Sequence, residues 1–257
     1  MTIATVVCGR SGRMANLIAA AVDRSEDLDL TARLSVRDGA GAPPGAEPVP
    51  LVRKLAELPD PRPVVVDFTS HEATADVLRQ AVDAPCPLVV GTSGLGAAER
   101  ALITEVGRTG AVVVAANFSL ALLAVARFVR ELSQQVDNTW DAGVMDLHFA
   151  GKRDRPSATA RFLADQWRSE TPGRTGRGPA DARSGAPELA SFRMGDAVSE
   201  HRLMAAGTGE HVEVLHRVAD RAAFLPGILR AVRFAAHARP GVYSLEDVAC
   251  STAAAPE

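Results

Sequence analysis

Short runs of apolar residues recur along the first 118 residues and alternate with segments whose apolar residues have helical spacing. The run 64–68 is continuously apolar with an acid near its end, which is typical of a parallel strand buried on both faces of a sheet. Strand and helix in regular alternation predict an α/β unit with a Rossmann-type, doubly wound parallel sheet. The predicted strands are 3–8, 28–36, 64–68, 87–90 and 111–115, and the predicted helices are 13–22, 73–82 and 97–108.

The pattern changes after residue 118. Two helical stretches now accompany strands of more alternating character, which predicts an α+β unit with an open mixed sheet. We therefore divide the chain into a first domain over 1–118, a second over 119–221 and a C-terminal return to the first over 222–257. Stretches 39–50 and 170–187 are rich in Gly and Pro and predict surface loops, the second of them mobile. The predicted elements of this part are helices 120–136, 157–168 and 222–238, strands 140–149, 189–194, 201–206 and 211–217, and the segment 241–248.

Composition narrows the classes of protein. With 257 residues, 47% of them hydrophobic, the chain can bury one large core or two modest ones. A formal net charge of −3 gives no basic field for nucleic acid. The first residues do not form a signal peptide, and no apolar run approaches about 20 residues, so we expect a cytoplasmic protein that does not bind membranes. Because Cys8, Cys86 and Cys250 are widely spaced, we expect neither a metal nor a disulfide.

A glycine-rich turn separates the first predicted strand from the first predicted helix. Such a turn lets backbone N–H groups approach a pyrophosphate, and the helix dipole favours the negative charge. Gly9 and Gly12 permit the turn, Ala15 permits close packing of helix on strand, and Arg10 and Arg13 add charge-assisted hydrogen bonds. The alternative is an ordinary strand–helix turn. The predicted cofactor-binding residues here are Gly9, Arg10, Ser11, Gly12, Arg13 and Met14.

The end of the second predicted strand bears on the choice of cofactor. Folds that prefer NADH carry an acidic residue there, which binds the ribose hydroxyls. This chain has Ser35 near that place, with Arg37 close by and Asp38 just beyond, and the hydroxyl and guanidinium suit a 2′-phosphate. We therefore expect NADPH, with NADH as the alternative. Arg37 has the alternative interpretation of a solvated loop residue.

Polar loops follow three further predicted strands. In an open α/β sheet, ligands bind outside the carboxyl ends of the strands, where all three loops lie. Thr69, Thr92 and the backbone around Gly91 are expected to line the nicotinamide, and Asn117 to fix the carboxamide or the domain junction. Each residue has the alternative of a simple turn or cap. The predicted cofactor-binding residues of these loops are Phe68, Thr69, Gly91, Thr92, Ala116, Asn117 and Phe118.

The stretch 146–160 combines a histidine, a lysine and a helix start. His148 and Lys152 are four residues apart, and Pro156 and Ser157 are typical first residues of a helix. Reduction of an imine requires a proton at nitrogen, which a histidine or lysine supplies, and a helix N-terminus binds carboxylates. The motif therefore predicts His148 and Lys152 as catalytic residues and Ser157 with Thr159 as a carboxylate site. The alternatives are a structural strand histidine and a solvated lysine.

Seven stretches in register resemble the 4-hydroxy-tetrahydrodipicolinate reductase family, also called dihydrodipicolinate reductase. The resemblance implies a two-domain, usually tetrameric enzyme that uses NADH or NADPH, with the second domain binding substrate and forming the oligomer. It also implies that His148 is the catalytic or polarising acid and that Lys152 is a substrate or proton-donor residue. The stretches are GRSGRMA, VVVDFTSHEAT, PLVVGTSG, VVVAANFS, H-x3-K-x-D-x-P-S, FRMGDAVSEH and HRVADRAAFLPGILRAVRF with PGVYSLEDV.

Four positions depart from the usual pattern of that family: Asp146 for Glu, Phe149 for His, Ala158 for Gly and Ser199 for Gly. Phe149 removes a polar group and Ala158 adds a methyl at the expected carboxylate loop. The functions to be weighed are the lysine-pathway reductase, a divergent imine or enamine reductase acting on a related cyclic imino acid, and a cofactor-binding protein without catalysis. The predicted substrate-binding residues are Phe149, Ser157, Ala158, Thr159 and Arg221.

Overall fold

The computed structural model describes residues 2–36, 49–137, 139–168 and 186–251. The chain divides into two compact units, with boundaries between Ser119 and Leu120 and between Ala223 and Phe224. The strands are β1 (Ile3–Cys8), β2 (Leu28–Leu34), β3 (Leu51–Val52), β4 (Val64–Asp67), β5 (Leu88–Val90), β6 (Ala111–Val114), β7 (Asp141–His148), β8 (Glu188–Arg193), β9 (Ser199–Gly207), β10 (Glu210–Val218) and β11 (Gly241–Tyr243). The helices are α1 (Arg13–Asp23), α2 (His71–Asp83), α3 (Ala97–Val106), α4 (Leu120–Gln135), α5 (Ala158–Arg168), α6 (Leu225–His237) and α7 (Leu245–Cys250), with 3-10 turns at Leu55–Glu57 and Arg221–Phe224.

The first unit is built on a parallel sheet with the strand order β11-β6-β5-β4-β1-β2-β3. Chain order reverses at β1, which pairs with β2 on one side and β4 on the other. Ligands of open α/β sheets bind at such a switch point, outside the carboxyl ends of the strands. The predicted Rossmann-type sheet is confirmed.

Apolar side chains of the central strands form the core of this unit. Val6, Val65 and Leu88 are fully buried because helices cover both faces of a doubly wound sheet. Helix α6, near the end of the chain, packs against the central strands and against α1. Arg233 of α6 donates two hydrogen bonds to Asp27, of 2.6 and 2.8 Å, which join α6 to the segment before β2.

The second unit has a mixed sheet with the strand order β10-β9-β7-β8. Strand β9 is antiparallel to both of its neighbours, whereas β8 is parallel to β7. The predicted open mixed sheet is therefore confirmed. One face packs Val144 and Leu203 against α4 and α5, where Trp167 is also buried. The apolar residues on the opposite face are exposed, namely Phe192, Met204 and Leu215.

Several short elements differ from the sequence prediction. Strand β3, the 3-10 turn Leu55–Glu57 and helix α7 were not expected. Helix α6 begins at Leu225 and not at residue 222, because the preceding residues form a 3-10 turn. The predicted loops 39–50 and 170–187 lie mostly outside the described residues. Among the described helices, none has the length and apolarity needed to cross a membrane.

Candidate active site

The turn between β1 and α1 is a tight glycine turn that leads directly into the helix. Gly9 has a φ of 98°, in the left-handed region that favours glycine. A Cβ atom there would lie 3.4 Å from Ala15 Cβ and 3.5 Å from Thr69 Cγ2, so the turn, helix and neighbouring loop are close together. Gly12 is the N-cap of α1 and has no side chain to cap the helix. An uncapped helix start behind a glycine turn fits a pyrophosphate.

An arginine that the sequence analysis missed supports this turn. The Arg33 guanidinium, on β2, donates hydrogen bonds to the carbonyls of Gly9 at 3.2 Å and Ala15 at 3.0 Å, and to Asn16 Oδ1 at 3.3 Å. Burial lowers the pKa of Arg33. Arg33 thereby connects the glycine turn to the first turn of α1. Strand β2 also carries Asp29 and Thr31, so a charged residue in this strand gave no distinct signal in the sequence.

Asp67, a buried residue at the end of β4, contacts the loops after β4 and β5 through its carboxylate and its backbone carbonyl, respectively. Asp67 Oδ1 accepts hydrogen bonds from Thr69 N at 3.0 Å and Thr69 Oγ1 at 2.6 Å, and Gly91 N donates to the Asp67 carbonyl at 2.9 Å. Burial raises the pKa of Asp67 despite these hydrogen bonds. The hydroxyl of Thr92 accepts a 2.8 Å hydrogen bond from Thr74. Asp67 therefore sets the position of two predicted cofactor residues.

Two phenylalanines pack together at the ends of β4 and β6. The ring centroids of Phe68 and Phe118 are 5.1 Å apart. A Cβ at Gly91 would lie 2.0 Å from the Phe68 ring, so only glycine leaves room for Phe68 at this position. Asn117 Oδ1 accepts a 2.8 Å hydrogen bond from Ser119 N.

The remaining predicted cofactor residues differ in exposure. Ser11 and Arg13 are exposed, whereas Arg10 and Met14 are half-buried. The backbone N–H of Ser35 donates to the Val52 carbonyl at 3.0 Å. Arg37 lies outside the described residues.

Asp146, on β7 of the second unit, is fully buried and ionised. Its Oδ1 accepts a 2.6 Å hydrogen bond from Arg193, and its Oδ2 accepts a 2.6 Å hydrogen bond from Ser157 N. Burial opposes ionisation, but the hydrogen bonds from Arg193 and Ser157 outweigh it and lower the pKa of Asp146 to about 2. Through Arg193 and Ser157, Asp146 of β7 is connected to β8 and to the start of α5.

His148 is two residues further along β7, on the same face of the sheet, and is 6% exposed. Its Nδ1 lies 3.9 Å from Asp146 Oδ1, beyond hydrogen-bond distance. Burial, and then the charge of Lys152, lower the pKa of His148 to about 4. His148 is therefore neutral near pH 7 in this structure.

Lys152 lies on the turn between β7 and α5. Its Nζ is 2.8 Å from Asp154 Oδ1, and its backbone N–H donates to the Phe149 carbonyl at 3.1 Å. Arg193 anchors the turn through a hydrogen bond to the Asp154 carbonyl. The pKa of Asp154 is lowered because hydrogen bonding to Lys152 outweighs the effect of burial. The lysine ammonium is thus held near the turn by a neighbouring carboxylate.

A second buried histidine, which the sequence analysis did not select, contacts the first. The ring centroids of His148 and His201 are 5.2 Å apart in an edge-to-face arrangement. The ring nitrogens of His201 lie 3.2 Å from Ser157 Oγ and 3.4 Å from Ser199 Oγ. Burial, and then His148, lower the pKa of His201 to about 3. His201 is held neutral between two hydroxyl groups.

The start of α5 already has protein partners. Ser157 Oγ accepts a 3.1 Å hydrogen bond from Ala160 N and so caps the helix, while Ser157 N donates to Asp146. Ala158 is half-buried and Thr159 is buried. Phe149 is half-buried, and a Cβ at Gly151 would lie 3.5 Å from its ring. Arg221 is half-buried at the start of the second 3-10 turn and stays a prediction as a substrate-binding residue.

A Rossmann-type unit with a glycine phosphate turn, followed by a unit that presents a lysine beside buried histidines, defines an NAD(P)-dependent oxidoreductase. Sequence models of the dihydrodipicolinate reductase N-terminus and C-terminus match residues 3–118 and 121–249. The chain belongs to the dihydrodipicolinate reductase family, and the resemblance seen in the sequence is confirmed. Within the described residues, no cluster of three or more His, Cys, Asp or Glu side chains could hold a metal ion.

Two relatives and one solved structure illustrate the similarity. The 4-hydroxy-tetrahydrodipicolinate reductase of Rubrobacter xylanophilus is 34% identical, over 97% of this chain and 99% of its own. That of Methanospirillum hungatei is 32% identical, over 96% and 98%. A dipicolinate-bound dihydrodipicolinate reductase from Paenisporosarcina sp. TG-14 superposes with a TM-score of 0.77 at 20% identity, over 96% of this chain and 99% of that one.

Proposed function

We propose that the protein reduces 4-hydroxy-tetrahydrodipicolinate, or the cyclic imine dicarboxylate derived from it, with NADPH or NADH in lysine biosynthesis. The observation that carries the proposal is the Lys152 ammonium on a turn that also connects buried His148 to the start of α5. A cation and an imidazole beside a helix start suit a substrate with carboxylates and a basic nitrogen. Family membership supports the same reaction.

The first unit would hold the cofactor, which supplies a hydride when bound. Gly9 and Gly12 would let backbone N–H groups of the turn and α1 meet the pyrophosphate. The Phe68–Phe118 pair would give the nicotinamide an apolar surface. The other residues that we propose to bind the cofactor are Arg10, Ser11, Arg13, Met14, Thr69, Gly91, Thr92, Ala116 and Asn117.

The second unit would supply the proton that the reduced nitrogen requires. His148 is neutral in the free protein because its pKa is about 4, and Arg193 is paired with buried Asp146, so Lys152 is the cation that we assign to substrate. A dicarboxylate placed beside both groups would draw Lys152 from Asp154 and would favour protonation of His148. We therefore propose Lys152 as the group that binds a carboxylate and donates the proton, with His148 polarising the imine.

Substrate carboxylates must compete with protein carboxylates at the start of α5. Ser157 N already donates to Asp146, and Asp154 receives a hydrogen bond from the Ala158 backbone. Asp154 is more exposed than Asp146, and its partner Lys152 is the cation we assign to substrate. The Asp154 carboxylate is therefore the one a substrate would displace, which would make room at Ala158 and Thr159.

The proposal is tested by kinetics of Lys152→Ala and His148→Ala with synthase-generated substrate. Loss of a positioned proton donor lowers turnover by about 10²- to 10⁴-fold. Cofactor affinity should stay within about twofold of wild type. Arg153→Ala is the matched control, because Arg153 is the exposed neighbour of Lys152 on the same turn. Near-wild-type turnover of both alanine variants would refute the assignment.

A second candidate is a divergent imine or enamine reductase, favoured by Phe149 and Ala158. Phe149 brings an apolar ring to the turn that carries Lys152, and Ala158 brings a methyl to the first residue of α5. If the methyl restricts the carboxylate, Ala158→Gly should increase kcat/KM for 4-hydroxy-tetrahydrodipicolinate. Unchanged kinetics would mean that Ala158 does not limit the choice of substrate. Absence of any turnover with cyclic imino acids would instead favour the non-catalytic cofactor-binding alternative.

We propose NADPH as the preferred cofactor. Support comes from Ser35 at the end of β2, where no acidic residue among the described positions would bind the ribose diol. Calorimetric titration with both cofactors is the test. Tenfold tighter binding of NADH, about 1.4 kcal/mol, would contradict the assignment.

We also propose a cytoplasmic homotetramer. The exposed apolar residues Phe192, Met204 and Leu215 on one face of the second sheet support self-association, because soluble proteins seldom leave such patches uncovered. Sedimentation equilibrium should give about four times the 26.9 kDa of one chain. Phe192→Arg should dissociate the assembly, and a monomeric wild type would contradict the proposal.

A further inference from the structure

The proposed reaction leaves one buried charge of the second unit without a role. Asp146 contacts neither the proposed proton donor nor solvent, since its side chain has 0% exposure. It is nevertheless the anion that comes within 3.9 Å of His148 Nδ1. The charged or titratable groups that face His148 are Asp146, Lys152, Asp154, Arg193 and His201.

His148 Nδ1 is buried and has no hydrogen-bond partner among the described residues. A cationic imidazole carries N–H groups on both ring nitrogens, and a buried N–H without an acceptor is unfavourable. Two carboxylates are near. Asp154 is 39% exposed and holds Lys152, whereas Asp146 is enclosed and lies beside Nδ1. Closing the 3.9 Å gap by about 1 Å would form the hydrogen bond.

We propose that Asp146 is a positioning residue of the reductase, whose carboxylate accepts the Nδ1 proton of His148 when that imidazole becomes cationic and so directs the other ring nitrogen toward substrate. This inference rests on the proposed function, which supplies the negative charge that makes His148 cationic. It adds a residue to the reaction that does not itself touch substrate.

The contacts of Asp146 make it suitable for this role. Arg193 holds Oδ1 at 2.6 Å and keeps the pKa of Asp146 near 2, although burial acts in the opposite direction, so the acceptor is charged at every working pH. Ser157 N holds Oδ2 at 2.6 Å. The same serine contacts His201, whose ring packs edge-on against His148. These contacts keep the carboxylate and the imidazole next to each other.

The experiment is a histidine NMR titration of the free protein, with the His148 signal assigned by His148→Gln. In Asp146→Asn, we expect His148 to bind its proton at least about tenfold more weakly, because an anion within 4–6 Å favours the cation. Asp146→Glu, which keeps the charge, should retain most of the proton affinity. Asp141→Asn is the matched control, since Asp141 is an exposed residue of the same strand, and should leave the titration unchanged. An unchanged titration in Asp146→Asn overturns the proposal.

Removal of one partner of a buried ion pair can prevent folding. If Asp146→Asn does not fold, the double variant Asp146→Asn/Arg193→Met removes both charges together. The attraction of Asp146 for cationic His148 exceeds the repulsion from Arg193, so the proton affinity should still fall, by a smaller factor. A double variant whose His148 titrates as in wild type overturns the proposal equally.

Kinetics supply the second readout. In Asp146→Asn, the alkaline limb of the kcat profile, which reports the groups of the substrate complex, should move to lower pH, and Asp146→Glu should restore it. A purely structural role would lower the amount of folded enzyme without moving that limb. The NMR titration requires no turnover. If the wild type is inactive but Asp146→Asn still weakens proton binding by His148, the proposed function is refuted and the Asp146–His148 contact remains supported.

Discussion

Replacement of Gly227 by alanine tests how closely α6 approaches the loop that carries the predicted cofactor residues Asn117 and Phe118. A Cβ at Gly227 would lie 2.0 Å from the Phe118 carbonyl oxygen and 3.1 Å from its carbon. Ordinary contacts begin near about 3.4 Å, so the helix or the loop must move by more than 1 Å. The obstacle is backbone, which cannot rotate aside as a side chain can.

The expected destabilisation lies at the upper end of the overpacking range, about 3 kcal/mol. The better helix propensity of alanine offsets at most about 1 kcal/mol of it. For a protein of this size the net change corresponds to a fall in Tm of roughly 4–12 °C. Because Phe118 packs against Phe68, we also expect weaker binding of the nicotinamide cofactor.

Thermal unfolding followed by circular dichroism measures the first effect, and calorimetric titration with NADPH measures the second. Gly143→Ala is the matched control, because a Cβ there would meet its nearest atom, the Glu188 carbonyl oxygen, at an ordinary 3.7 Å. A Tm of Gly227→Ala within about 2 °C of wild type would refute the close approach of α6 to Phe118.

Three further predictions concern charge and reactivity. Asp154→Asn frees Lys152 from a partly exposed ion pair and should lower KM for substrate by about two- to fivefold, and a raised KM would contradict this. Arg233→Ala should remove about 0.5–1 kcal/mol in urea unfolding at neutral pH, since solvent screens its pair with Asp27. The hydrogen bond from Arg233 lowers the pKa of Asp27, so the stabilisation is present above the ordinary pKa of Asp27 and is lost as pH falls through the lowered pKa. If Arg233→Ala reduced the free energy of unfolding equally at pH 7 and pH 2, this prediction would be wrong. In thiol labelling of the native protein only Cys250 should react promptly, because the other two cysteines are buried, and rapid labelling of all three would contradict the fold.

The central strands of the first sheet were predictable because they are buried on both faces. Residues 64–67 read as an uninterrupted apolar run ending in an acid, and the structure has β4 there with all four residues buried. Strand β3 was not predictable. It has two residues, Leu51 and Val52, which are exposed or half-buried and pair only at the edge of the sheet, and two residues cannot display a period.

The partners of the site were harder to predict than its central motif. His148 and Lys152 are close in sequence, so their spacing alone suggested a common role. Arg193 reaches Asp146 across 47 residues, and His201 reaches Ser157 across 44. No local pattern encodes such contacts. A weak signal was present, because Asp146 and His201 fall on the inward-facing positions of β7 and β9 and are directly paired across the two strands.

The start of α5 shows why a helix N-terminus in a sequence cannot be equated with a free anion site. Four N–H groups at a helix start lack partners within the helix. Here Ser157 caps one through its hydroxyl, and Asp146, eleven residues earlier in the chain, accepts another hydrogen bond from Ser157 N. The strand–turn–helix geometry brings both ends of the motif together, which spacing along the chain does not reveal. A substrate carboxylate would therefore depend more on the Lys152 ammonium than on the helix, and loss of Lys152 should impair catalysis more than any change confined to Ser157.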